Sequence, residues 1–322
     1  MNQQSLLESI GDDLSTVDTL IRKRLNSDVA LINALGEYII ASGGKRLRPS
    51  LVLMTGQLCG ANDNAQKLLA TIIEFIHTAT LLHDDVVDQS TLRRGQQTAN
   101  MVWGNEASVL TGDFLYTRAF QMMTELRSHA VMEVMAAATN RIAEGEVMQL
   151  MAAYDSSVTE DRYLELVDRK TASLFSAGCE LSARLAGCNE TQCEAMRVYG
   201  QQLGMAFQVV DDCLDYGQGN ADYGKNAGDD LADGQPTLPL IYALGAVDGQ
   251  TSARLKSAVE NGDANALGEV TTAIESTGAI SYTLDLAQQY ATAAVRALDA
   301  FADRAERDRL VALAESLVDR RH

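Results

Sequence analysis

Three carboxylates close an apolar run in LLHDDVVDQSTLRRG, residues 81–95, and two adjacent arginines follow. On a helix, positions four apart lie one turn above another. Asp84 and Asp88 are therefore predicted to share a face, with Asp85 about 100° around the axis. Like charges placed this way repel and cost stability. A magnesium ion removes the conflict, because it takes a few carboxylates, keeps its waters and shares phosphate oxygens. Arg93 and Arg94 add planar donor forks suited to phosphate. The combination points to a diphosphate held through metal. The same spacing returns in FQVVDDCLD, residues 207–215, with Asp211, Asp212 and Asp215. One acidic helix face is common. Two, each closing an apolar helix, are expected to face one gap of a helical bundle, which is how bundles build metal sites.

Other groups are weaker alone. Lys45, Arg46 and Arg48 sit in SGGKRLRPS, residues 42–50, in a turn before a helix that Pro49 can open. Free N–H groups and the helix dipole favour anions there, although a solvated basic turn is equally ordinary. His77 lies two turns below Asp84; a lone helix histidine is usually packed or solvated. Lys170 and Thr171 fall mid-helix in a segment predicted over 160–186, where the lysine either snorkels to the surface or points into a polar cleft. Met122, Met123, Met132, Met135, Met148 and Met151 are core filler or the wall of an apolar cavity. GNADYGK, residues 219–225, nearly matches a phosphate loop, but Asn226 stands where Ser or Thr belongs and no strand precedes it. That reading is rejected. Lys225 remains a candidate phosphate contact.

The elements that must position these groups are helices. Among 322 residues there are three prolines, where average usage would give roughly sixteen. Alanine and leucine are the commonest residues, both strong helix formers. The expected fold class is all-α, a single domain over residues 1–322, since no linker or charge block divides it. The net charge of −18 argues against nucleic acid and anionic membrane surfaces as partners. Five scattered cysteines form no CxxC pair, so a reduced setting is the default. No basic, apolar start suggests a signal peptide, and no run is long enough for a membrane span. A cytoplasmic protein is expected.

With these residues in hand, the chain resembles the trans-isoprenyl (polyprenyl) diphosphate synthases. GGKRLRP at 43–49, LLHDDVVD at 81–88, RRG at 93–95, GDFL at 112–115, KTASL at 170–174, FQVVDDCLD at 207–215, GKNAGDDL at 224–231 and GQPTLPL at 234–240 occur in the family order. The wording around them most resembles the bacterial octaprenyl branch. The resemblance implies a bundle of antiparallel helices around a central cavity. It implies Mg²⁺ held by Asp84, Asp85, Asp88, Asp211, Asp212 and Asp215. It places Arg93, Lys170, Thr171, Gln208 and Lys225 at the allylic diphosphate, and Lys45, Arg48, His77 and Arg94 at isopentenyl diphosphate. Ionisation of the allylic C–O bond leaves diphosphate, whose developing charge cationic groups stabilise. The double bond of isopentenyl diphosphate then attacks, and a proton leaves, in this family to the departing diphosphate. Farnesyl diphosphate as primer, a homodimer and a quinone side chain as destination are further implications.

Product length is a separate matter. The tail should run down the helix from Asp84, past Thr80, Ala79 and Ile76. Thr80 and Ala79 are small where short-chain relatives often carry aromatics. A long tunnel is expected, closed by Met123 or Met135. Three other readings compete. A terpene cyclase would not need the basic clamp of Lys45, Arg48 and Arg94. A non-catalytic partner subunit would be expected to lose an aspartate motif, and here both stand complete. A plain scaffold leaves the polar clusters unexplained.

Overall fold

A computed structural model describes residues 10–41, 44, 46–61, 63–93, 95–216 and 228–319. Helices α1 (Gly11–Leu25), α2 (Ala30–Ala41), α3 (Leu47–Leu58) and α4 (Asn64–Val87) come first. A ribbon of β1 (Leu92–Arg93) and β2 (Gln96–Gln97) follows, then α5 (Ala99–Trp103), α6 (Asn105–Glu125) and α7 (His129–Ala152). Next come α8 (Glu160–Val167), a π-helical turn (Asp168–Ala172), α9 (Ser173–Leu185) and α10 (Glu190–Asp215). The remainder is α11 (Asp229–Ala232), α12 (Leu238–Ala246), α13 (Gly249–Asn261), α14 (Leu267–Thr277), α15 (Ala279–Ala297) and α16 (Ala305–Val318). The all-α expectation holds, with one two-residue ribbon among the described residues.

The chain packs as two units. The first is Met1–Thr139, Leu174–Gly200 and Ala297–Leu313; the second is Asn140–Ser173, Gln201–Arg296 and Ala314–His322. In the first, α4 is capped by the Asp63 carboxylate, which accepts from the N–H groups of Ala65 and Gln66 at 2.9 and 3.1 Å. Such a cap is worth about 1 kcal/mol. Leu69, Ile72, Ile73, Ile76 and Ala79 bury one side of α4. A buried polar lock fixes three helices: the Ser182 hydroxyl lies 2.7 Å from both Val52 O and Gln66 Oε1, which share its one proton, and Gln66 Nε2 donates to Ser182 O at 2.9 Å. The Tyr199 hydroxyl donates to Leu310 O at 2.8 Å. The second unit has two apolar clusters. One gathers Tyr163, Val167, Met205, Val209 and Val210 with Leu238 and Ala287. The other gathers Leu231, Leu255, Val259, Val270 and Ile274.

Three local features differ from the sequence expectations. Helix α3 opens at Leu47, two residues before Pro49. Proline is still tolerated, because N–H groups of the first turn need no helical partner. The segment expected as one helix over 160–186 is broken by the π turn. The ribbon and α5 fill residues 92–103, where the sequence reading placed no element. Gly95 makes the tight return, with φ of 75°, a conformation open to glycine without penalty.

Candidate active site

The first aspartate motif ends α4. Asp84 and Asp88 are half-buried, while Asp85 is buried. The Arg93 guanidinium donates from Nε to Asp85 Oδ1 at 2.7 Å. Burial raises the Asp85 carboxyl above its ordinary range, against the lowering effect of Arg93. The ribbon returns over this helix end: Asn100 Nδ2 donates to Asp85 O at 3.2 Å, and the Thr98 hydroxyl to Ser90 O at 2.6 Å. Arg93 and Asp85 thus meet because the chain reverses straight after α4, where Gln89 has φ of 52° and the Ser90 N–H donates to Asp85 O at 3.0 Å.

The basic turn and His77 are also brought together. Arg48 Nη1 lies 3.0 Å from His77 Nε2. The Arg48 guanidinium stacks 4.6 Å from the centroid of the Phe175 ring. Arg46, in the same turn, has φ of 48°, a region uncommon for non-glycine residues. It is tied down by Asp18 at 3.1 Å and by the buried Glu74. A pocket of this unit is lined by Arg46, Glu74, His77, Asp85 and Arg93, with Tyr38 and Gln97 beside them.

In the second unit, Thr171 and Gln208 meet: the threonine hydroxyl donates to Gln208 Oε1 at 3.0 Å. Gln208 Nε2 donates to Asp212 Oδ1 at 2.8 Å, and the Tyr163 hydroxyl donates to Asp212 Oδ2. Asp211 is half-buried, whereas Asp212 and Asp215 are buried. Burial, then the charge of Asp230, pushes the Asp212 carboxyl up to about 8, against its two hydrogen bonds. Lys170 Nζ pairs with Glu146 at 2.6 Å.

The π turn explains the second cluster. In an unbroken helix, residues 163 and 171 would point about 80° apart; one extra residue absorbed in a π turn cuts this to about 20°. Tyr163 and Thr171 then address the same stretch of α10. Gly145 lets α7 approach closely: a Cβ there would lie 2.7 Å from Lys170 N and 2.9 Å from its Cα.

Among the predicted tail residues, Ala79, Met123 and Met135 are fully buried, and the Thr80 hydroxyl donates to His77 O at 2.8 Å. Lys45, Arg94 and Lys225 lie outside the described residues. Glu146, Tyr163 and Phe175 escaped sequence reasoning, since a single residue without a spacing pattern carries no signal.

Whether these carboxylates suit a divalent metal can be judged from their chemistry. No ready-made cluster of three or more donors is present among the described residues. Magnesium does not need one: it binds through one or two carboxylates, waters and substrate phosphates. Oxygen donors alone, with burial raising the carboxyls of Asp85 and Asp212, match a site whose charge a cation would complete. No helix among the described residues is long and apolar enough to cross a membrane.

Comparison with known proteins agrees with this chemistry. The polyprenyl synthetase family pattern matches residues 29–277. The octaprenyl diphosphate synthase of Escherichia coli (strain K12) is 46% identical over 321 residues, covering 99% of each chain. An all-trans-nonaprenyl-diphosphate synthase (geranyl-diphosphate specific) of Rhodobacter capsulatus is 39% identical, covering 99% of this chain and 98% of its own. The crystal structure of a polyprenyl synthase from Caulobacter crescentus, complexed with calcium and isoprenyl diphosphate, superposes with a TM-score of 0.96 at 44% identity, covering 100% of this chain and 98% of that one. The chain belongs to the polyprenyl synthetase family and is a prenyltransferase.

Proposed function

We propose that this chain is a magnesium-dependent octaprenyl diphosphate synthase, working in the cytoplasm as a homodimer whose catalytic domain spans residues 1–322. It extends farnesyl diphosphate by repeated addition of isopentenyl diphosphate, and its product becomes a quinone side chain. The observation that carries the two-substrate reading is the Arg48–His77 pair at 3.0 Å. It is a basic clamp distinct from the groups around the aspartate motifs, and a cyclase has no use for it. The product assignment is supported by full-length similarity to an octaprenyl synthase.

Asp84, Asp85 and Asp88 of the first motif, and Asp211, Asp212 and Asp215 of the second, would hold the magnesium. When bound, magnesium supplies positive charge to the departing diphosphate. Arg93, Lys170 and Lys225 hold the oxygens of that diphosphate. Thr171 Oγ1 and Gln208 Oε1 turn electron-rich atoms toward the allylic carbon. Lys45, Arg48, His77 and Arg94 hold isopentenyl diphosphate, and fixed positioning removes much of the entropic barrier to attack. Ala79 and Thr80 leave the tail a way down α4, toward Met123 and Met135.

The test is a steady-state assay of the purified chain with farnesyl diphosphate, isopentenyl diphosphate and Mg²⁺, with products identified by mass spectrometry. Octaprenyl diphosphate, lost on chelation, is the expected result. No diphosphate release from the chain alone would favour a partner subunit instead.

A further inference from the structure

We infer that Tyr163 is a positioning residue which, through Asp212, sets the orientation of the Gln208 amide and so of the Thr171 hydroxyl. The inference rests on the prenyltransferase reading above and names a residue that reading does not use. Tyr163 is 5% exposed, and its ring packs in the cluster formed with Val167, Val209 and Val210. Its hydroxyl donates to Asp212 Oδ2. Asp212 is 4% exposed and receives the Gln208 amide on its other oxygen at 2.8 Å. A glutamine side chain can flip by half a turn, exchanging donor for acceptor. An acceptor at Asp212 allows one of the two orientations: the NH₂ faces Asp212 and Oε1 faces Thr171. The Thr171 hydroxyl then spends its single proton on Gln208 at 3.0 Å. What it can offer to a third group is an oxygen lone pair. Two fixed oxygens suit an electron-poor allylic carbon better than a diphosphate. Tyr163 touches neither reacting group; it holds Asp212, and Asp212 holds the amide. The π turn brings Tyr163 and Thr171 to one side of their helix, so the four residues form one chain of hydrogen bonds.

A double-mutant cycle tests this. Tyr163→Phe keeps the ring in its cluster and removes the donor. We expect kcat to fall about tenfold, with KM for isopentenyl diphosphate within about twofold and the Mg²⁺ concentration for half-activation unchanged. In a Gln208→Ala background the same change should cost less than about twofold, because a residue acting through another loses its effect when that other is gone. Equal losses in both backgrounds would overturn the assignment, as would an unchanged kcat or an effect confined to the Mg²⁺ requirement. Thermal unfolding checks that the variant folds. If Tyr163→Phe does not fold, Tyr163→Met, which also lacks the donor, serves in its place, with the same non-additivity against Gln208→Ala expected and additivity again fatal. A wild-type chain that releases no diphosphate would defeat the prenyltransferase reading, and this inference with it. An active wild type with additive variants would defeat the inference alone.

Discussion

At the scale of single residues, cations predicted to grip diphosphate already sit on carboxylates. Arg93 is on Asp85 and Lys170 is on Glu146. A partly buried cation without an anion is costly, and these carboxylates match each one. On the proposed reading, substrate phosphate would take over the role of the carboxylate. Asp84 is half-buried at the end of α4, where its removal disturbs little packing. Asp84→Ala should lower kcat by about a thousandfold, the scale on which lost electrostatic stabilisation is felt. Circular dichroism should show unchanged helicity; retained activity with Mg²⁺ would refute the metal role. Phe175 supports Arg48 by a cation–π contact worth about 1 kcal/mol. Phe175→Leu should therefore raise KM for isopentenyl diphosphate about fivefold and leave KM for the allylic substrate alone, as initial-rate measurements with each substrate varied would show. The placing of the two aspartate motifs at helix ends was legible in the sequence, because helical spacing shows it. Glu146 and Phe175 were not, because their roles depend on partners 24 and 127 residues away in the chain, which the fold alone selects.

At the scale of elements, helix existence could be read closely from the sequence, since apolar periodicity and scarce proline dominate it. The ribbon could not. Two-residue strands leave no alternation to detect, and pairing Leu92 with Gln97 rests on the turn at Gly95 rather than on strand propensity. The π turn was equally hidden, because one absorbed residue changes phase without changing composition. Its close neighbour Gly145 makes it testable. A methyl group at 145 meets backbone atoms of Lys170 at 2.7–2.9 Å, not a flexible side-chain end. Gly145→Ala should cost about 1–3 kcal/mol of stability by overpacking, read as a drop of several degrees in melting temperature. It should also lower kcat about tenfold by shifting Lys170 and Thr171. A variant that melts and turns over like the wild type would show that α7 and the π turn can separate without consequence.

At the scale of the whole molecule, product length is the property that no single motif specifies. Each isoprene unit adds four chain bonds of about 1.5 Å, or roughly 5 Å once the zigzag is allowed for, so eight units extend about 40 Å. The axis of α4 from Asp84 back to Asn64 covers only about 30 Å. A tail of eight units running down α4 would therefore outreach the whole of that stretch. Ala79 lies about 7.5 Å along the axis from Asp84 and is fully buried. A tyrosine there would place a ring across the path about 7.5 Å along it, in a packed interior with little room to yield. Ala79→Tyr should therefore move control of length from the molecule to one residue. Chromatography of radiolabelled products should show chains shortened by several units. An unchanged product length would mean that the tail leaves Asp84 in another direction.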